Sequence, residues 1–150
     1  MKTSLLLIAL MFSTPAFARI GETEAQIEVR YGEPHASKRE NGLVNRAYTS
    51  RGFDILVSFE KGISCGEEYQ KNPPTPLLDD DIAALLGANS GGGKWYQVPD
   101  SSSDRLVLIV YRGAGKRVAM HNAVRNTLIV TSEDFVARMS SRHAEKLKGF

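Results

Sequence analysis

One cysteine, three histidines and a run of aspartates are the residues in this 150-residue chain whose chemistry could go beyond packing. Cys65, in Ser64-Cys65-Gly66, could act as a nucleophile or as an intermolecular disulfide partner. A nucleophile needs a neighbouring base and a depressed pKa. The available imidazoles are His35, His121 and His143, and none sits in a recognisable signature around the thiol. The plainer reading is a small, partly buried strand residue, since free cysteine commonly packs as a hydrophobe. Asp79-Asp80-Asp81 offers oxygen ligands for calcium. It lacks the alternating ligands, the glycine and the distal glutamate of an EF-type loop. Three acids are equally what a helix N-terminus favours.

Three further groups invite a reading. Tyr111 to Arg117 (Tyr-Arg-Gly-Ala-Gly-Lys-Arg) resembles a phosphate loop, but Val110 stands where the first glycine belongs and Arg117 where Ser or Thr belongs. It reads as a basic hairpin turn. Arg138, Arg142 and Lys146 form a basic ridge at helical spacing. They suit an acidic partner or peripheral contact with anionic lipid, or simply a solvated face with cations near a helix C-terminus. His143 lies on the apolar stripe Phe135, Val136, Met139 and Leu147, and has no second ligand at metal-binding spacing. Trp95 and Tyr96 follow a glycine run and are either a core anchor or an aromatic contact on an exposed loop. No catalytic set, cofactor motif or metal set emerges.

The elements that must position these residues begin after a leader. Lys2, the apolar run Leu5 to Phe12, and Ala16-Phe17-Ala18 have the order of a secretory signal peptide, with cleavage expected after Ala18. The apolar run is too short to span a bilayer. No further segment reads as a transmembrane span. The remainder, 19–150, is one domain's worth of chain. Lys2 is one of 19 Lys+Arg, which face 17 Asp+Glu, so the remainder is near neutral. That balance gives no electrostatic case for nucleic acid as a partner. A lone cysteine leaves stability to core packing rather than to an internal disulfide.

Gly21 to Pro34 carries a full set of helix signals. Thr23 and Gln26 form a capping box. Ile20, Thr23, Ile27 and Tyr31 make one narrow inward face. Gly32 and Pro34 stop the helix. So short a helix must lie on a sheet. Residues 35–45 read as a polar loop. Ala47 to Ser50, Phe53 to Phe59 and Ile63 to Tyr69 read as strands joined by Arg51-Gly52 and Lys61-Gly62. The prolines of Gln70 to Pro76 form a stiff connector. A second helix is expected over Asp79 to Ala88 with Ile82, Leu85 and Leu86 buried. Trp95 to Val98 reads as a strand and Pro99 to Asp104 as a Ser-rich loop. The apolar Leu106 to Tyr111 reads as a central strand. Arg117 to His121 and Thr127 to Val130 complete a second meander, and Ser132 caps a helix running to Leu147.

The pattern Gly21, Thr23, Ile27, Tyr31, Gly32, Pro34, with the strands after it, resembles the small outer-membrane-assembly lipoproteins of the SmpA/OmlA family. That resemblance covers about a third of the chain and implies a short helix before an antiparallel meander and a role in binding other envelope proteins. No cysteine stands directly after the apolar run, so that family's lipidation site is missing. The β-lactamase-inhibitor proteins are similar in architecture, with a helical segment before a sheet, twice. A faint repeat fits this: Ile27-x-x-x-Tyr31-Gly32 matches Ile82-x-x-x-Leu86-Gly87, and Ile55 to Gly62 matches Leu106 to Gly113. Half-repeats 19–72 and 73–131 before the helix 132–147 stand beside a single undivided domain.

The expected fold class is therefore α+β: short helices on one face of an antiparallel β-meander, with a C-terminal helix. The expected function is a non-catalytic, exported, protein-binding module whose partner is another envelope protein, contacted through Trp95, Tyr96, Arg138, Arg142 and Lys146. A secreted enzyme inhibitor and a small Cys65-dependent enzyme are the alternatives.

Overall fold

The computed structural model describes residues 20–99 and 108–147, with only the backbone path at 142–144 and 146–147. The expected leader at 1–18, the Ser-rich segment from 100 onward and the positions Leu106 and Val107 lie outside the described residues. The first helix is α1 (Glu24–Tyr31), followed by β1 (Ala36–Glu40), β2 (Leu43–Ser50), β3 (Phe53–Glu60) and β4 (Ile63–Lys71). Then come α2 (Asp79–Ala88), β5 (Trp95–Gln97), β6 (Leu108–Gly113), β7 (Arg117–Asn122), β8 (Thr127–Ser132) and α3 (Glu133–Leu147). The strands form one eight-stranded antiparallel sheet in the order β1-β2-β3-β4-β8-β7-β6-β5. The chain is α+β, with a C-terminal helix.

Local chemistry sets the ends of the elements. Thr23 Oγ1 accepts from Gln26 N at 3.4 Å, and Gln26 Oε1 accepts from Thr23 N at 2.9 Å. Gly32, at φ +86°, donates its N–H to Glu28 O at 2.8 Å and ends α1. α2 has Leu78 at its N-cap, so the cap comes from Asp81, which accepts Leu78 N at 2.7 Å and pairs with Lys71 at 2.6 Å. Ser132 Oγ accepts Phe135 N at 3.1 Å and opens α3. In the first half, Asn41-Gly42, Arg51-Gly52 and Lys61-Gly62 all take positive φ at both positions. That is the two-residue turn whose twist matches antiparallel strands.

Two expectations need correction. Residues 35–45 are not a loop, because β1 pairs with β2 from Ala36↔Ala47 to Glu40↔Leu43. Every β1 side chain is exposed, so the strand has no apolar alternation to betray it. Its charges guard a sheet edge. The apolar run at 106–111 is not central either. Its described part is β6, one strand from the other edge, while the centre is the β4–β8 pair. β4 reads as polar, Ile-Ser-Cys-Gly-Glu-Glu-Tyr-Gln-Lys, yet Ser64 to Glu67 and Tyr69 are buried.

Polar β4 residues are buried because each has a partner. Ser64 Oγ accepts Gly21 N and Glu22 N at 3.0 Å each, tying the segment before α1 to the sheet. Glu67, 1% exposed, accepts from Tyr31 Oη of α1 at 3.0 Å and from Tyr69 Oη. Asn89, just past α2, donates from Nδ2 to Tyr69 Oη at 3.2 Å and to Leu85 O at 2.9 Å. Around this cluster α1 and α2 cover one sheet face, burying Ile27, Leu85 and Leu86 against Val57, Tyr69 and Leu128. α3 lies against the other face, where Phe135, Val136 and Met139 approach Leu56, Met120 and Ile129.

The chain order is a helix followed by four antiparallel strands, twice, with the last strands of each set paired. The strand match read from sequence aligns β3 with β6, whereas the positional equivalent of β3 is β7. Gly87 does not stop α2 as Gly32 stops α1, since α2 continues to Ala88.

Replacing Tyr69→Phe withdraws a donor from the buried Glu67 and an acceptor from Asn89. The expected cost is about 1–3 kcal/mol, read as a lower urea midpoint with an unchanged m-value.

Candidate interaction surface

Cys65 sits where the β3–β4 register shifts, at the Ser58/Phe59 irregularity. Its Sγ donates to Ser58 O at 3.2 Å. Burial pushes the thiol up to about 11, with the Glu60 carboxylate adding and Arg138 opposing. These neighbours place it on the α3 side. His121, on β7, is in register with Leu128 and so faces α1 and α2. Its pKa is lowered by burial and opposed by Asp79. The sheet stands between thiol and imidazole, so they form no nucleophile–base pair.

The other sequence candidates resolve locally. Asp79, Asp80 and Asp81 form the first turn of α2. Hydrogen bonds from Lys71 and from Leu78 N hold the Asp81 carboxyl below its ordinary pKa. Residues 111–117 are the end of β6, a turn and the start of β7. Trp95 is an anchor: its indole N–H donates to Leu86 O at 2.7 Å, and its ring lies where a side chain on Gly113 would stand, 2.9 Å from an ideal Cβ. Tyr96 alternates to the other face and is 67% exposed. Arg138 pairs with Glu60 on β3 at 2.9 Å. The side chains of Arg142, His143 and Lys146 lie outside the described residues. Of the five contact residues expected from sequence, Trp95 points away from Tyr96, and Arg138 is engaged with the sheet.

The sequence reading missed a surface. Between α3 and the sheet runs a groove of about 280 Å³, lined by Leu56, Met120, Ile129, Phe135, Val136 and Met139. Leu56 remains 41% exposed there. Leu56, Met120 and Ile129 alternate in sequence with residues of the helix-covered face, and their partner stripe is the apolar side of α3. Both patterns were visible separately. Their meeting required the strand order.

Comparison with family models finds no match, and comparison with curated protein sequences finds none. Among solved structures, the fold is similar to a cysteine-rich secretory protein of Staphylococcus aureus subsp. aureus Mu50, with a TM-score of 0.51 and 10% identity. The match covers 79% of this chain and 46% of that one, so this chain spans less than half of its neighbour. That likeness concerns the fold. No helix among the described residues is long and apolar enough to cross a membrane.

Two measurements check these placements. The native Cys65 thiol should react with a disulfide reagent at about pH 8 at least roughly a hundredfold more slowly than a free cysteine, and react fast once unfolded. For His121 the folded pKa is lowered, so the unfolded chain binds more protons below the ordinary value of about 6.5. Stability should be level above that pH and fall as the pH drops below it. Urea midpoints between about pH 8 and 5.5 should show the fall, and His121→Gln should flatten it.

Proposed function

We propose that this protein is exported and acts without catalysis as a protein-binding module of the cell envelope, as its resemblance to the SmpA/OmlA family implies. The supporting observation is the α3-side face. Leu56, Met120 and Ile129 lie on a sheet whose other face is closed by two helices, and α3 covers them only in part. Half-exposed apolar side chains next to an amphipathic helix suit an apolar segment of a partner. The two methionines of the groove, Met120 and Met139, can repack around different shapes. The leader at 1–18 supports export, and Tyr96 extends the same face toward the β5 edge.

A second reading is an inhibitor that lays its sheet over an enzyme cleft. The continuous sheet built from two helix-plus-four-strand sets favours it; the reading requires that the two sets be a true duplication. It would draw on the same α3-side face. The buried, high-pKa thiol gives a Cys65 enzyme no support.

Photo-crosslinking in intact cells separates these surfaces. A photoreactive residue at Leu56 should capture one discrete envelope partner, and a second substitution, Ile129→Asp, should abolish the capture. The same residue at Val29, 91% exposed on α1, should capture nothing comparable. Identical products from both positions would contradict the reading.

A further inference from the structure

On the opposite face, between α1 and α2, lies a cleft of about 500 Å³. This is within the size range of small-ligand sites. It belongs to a different surface from the α3 groove and does not rest on the proposed function. Its apolar part is Tyr31 of α1, Phe53, Ile55 and Tyr69 of the sheet, and the α2 side chains Ala84 and Ala88. The two alanines, one turn apart, leave the space open. The floor is rigid, because Tyr69 is fully buried with its hydroxyl held between Glu67 and Asn89. The Tyr31 ring rests 5.7 Å from that of Tyr48. A floor fixed before binding loses little freedom when a ligand arrives.

Four charged side chains stand at this cleft: Arg30, Arg51, Asp80 and Asp81. Two are already matched, Arg30 with Glu22 at 2.6 Å and Asp81 with Lys71 at 2.6 Å. Arg51, on the turn between β2 and β3, and Asp80, on the first turn of α2, make no ion pair among the described residues. The site therefore offers one unmatched cation from the sheet side and one unmatched anion from the helix side, above aromatic rings. An anionic amphiphile would satisfy only Arg51. A phosphate ester would meet the carboxylates of Asp80 and Asp81.

We propose that this cleft binds a short apolar peptide by both ends: Arg51 takes the terminal carboxylate, Asp80 takes the terminal ammonium, and the side chains lie on Tyr31 and Phe53, with the buried Tyr69 backing them. The test is calorimetric titration of the full chain with the dipeptide Leu-Phe, its N-acetylated form, its C-amidated form and octanoate. The expected result is that each blocked end weakens binding by about fivefold, the ratio of an exposed ion pair of about 1 kcal/mol. Asp80→Asn should remove the penalty for acetylation but keep that for amidation, and Arg51→Gln should do the reverse. Ala84→Leu, an exposed change that narrows the cleft, should weaken all the peptides together while leaving the thermal midpoint in place. Absence of Leu-Phe binding at millimolar concentration overturns the proposal. So does octanoate binding as tightly as Leu-Phe with no response to Asp80→Asn.

Discussion

The fold depends on a buried carboxylate at the middle of its sheet. Glu67 sits on β4, the strand that joins the two sets of four, and it is enclosed on the face covered by helices. A carboxylate in that position is tolerated only where donors meet it. The donors come from separate elements: Tyr31 from α1 and Tyr69 from β4 itself, with Asn89 at the end of α2 steadying the Tyr69 hydroxyl. One polar cluster therefore fixes where both helices sit. Apolar packing around it supplies most of the burial but is less particular about angle, since Ile27 or Leu85 could pack in several orientations.

The sheet also works as a partition. With α1 and α2 on one side and α3 on the other, residues that alternate along one strand are delivered to unrelated environments. Cys65 and His121, the pair most suggestive of chemistry in the sequence, fall on opposite sides. Trp95 and Tyr96 are split in the same way, the indole bonded to α2 and the phenol left in solvent. Among the described residues, the accessible recesses include a partly covered apolar strip beside α3 and a charged-rimmed cleft between α1 and α2.

The local signals of the chain were legible residue by residue. The capping box of Thr23 and Gln26, the stop at Gly32, the extent of α2 and the Ser132 cap all depend on contacts a few residues apart, and all are found. So are the turns at Arg51-Gly52 and Lys61-Gly62. β1 escaped because an edge strand with every side chain in water carries no alternation. The apolar part of β6 suggested centrality, yet position in a sheet is set by which strand closes on which. β4, with Glu67 and Ser64, looked too polar for the centre until their distant partners were in place.

By itself, then, the sequence determined the elements other than β1, because turn dihedrals, caps and short-range periodicity are properties of neighbouring residues. It also determined the α+β class, since helices this short require a sheet to lie on. Only the tertiary structure decided the β4–β8 junction, the side of the sheet taken by α3, the separation of Cys65 from His121, and the two recesses. Those follow from pairings over long stretches of chain, such as Tyr69 with Leu128, and a side chain's face has no meaning until its strand has found a neighbour.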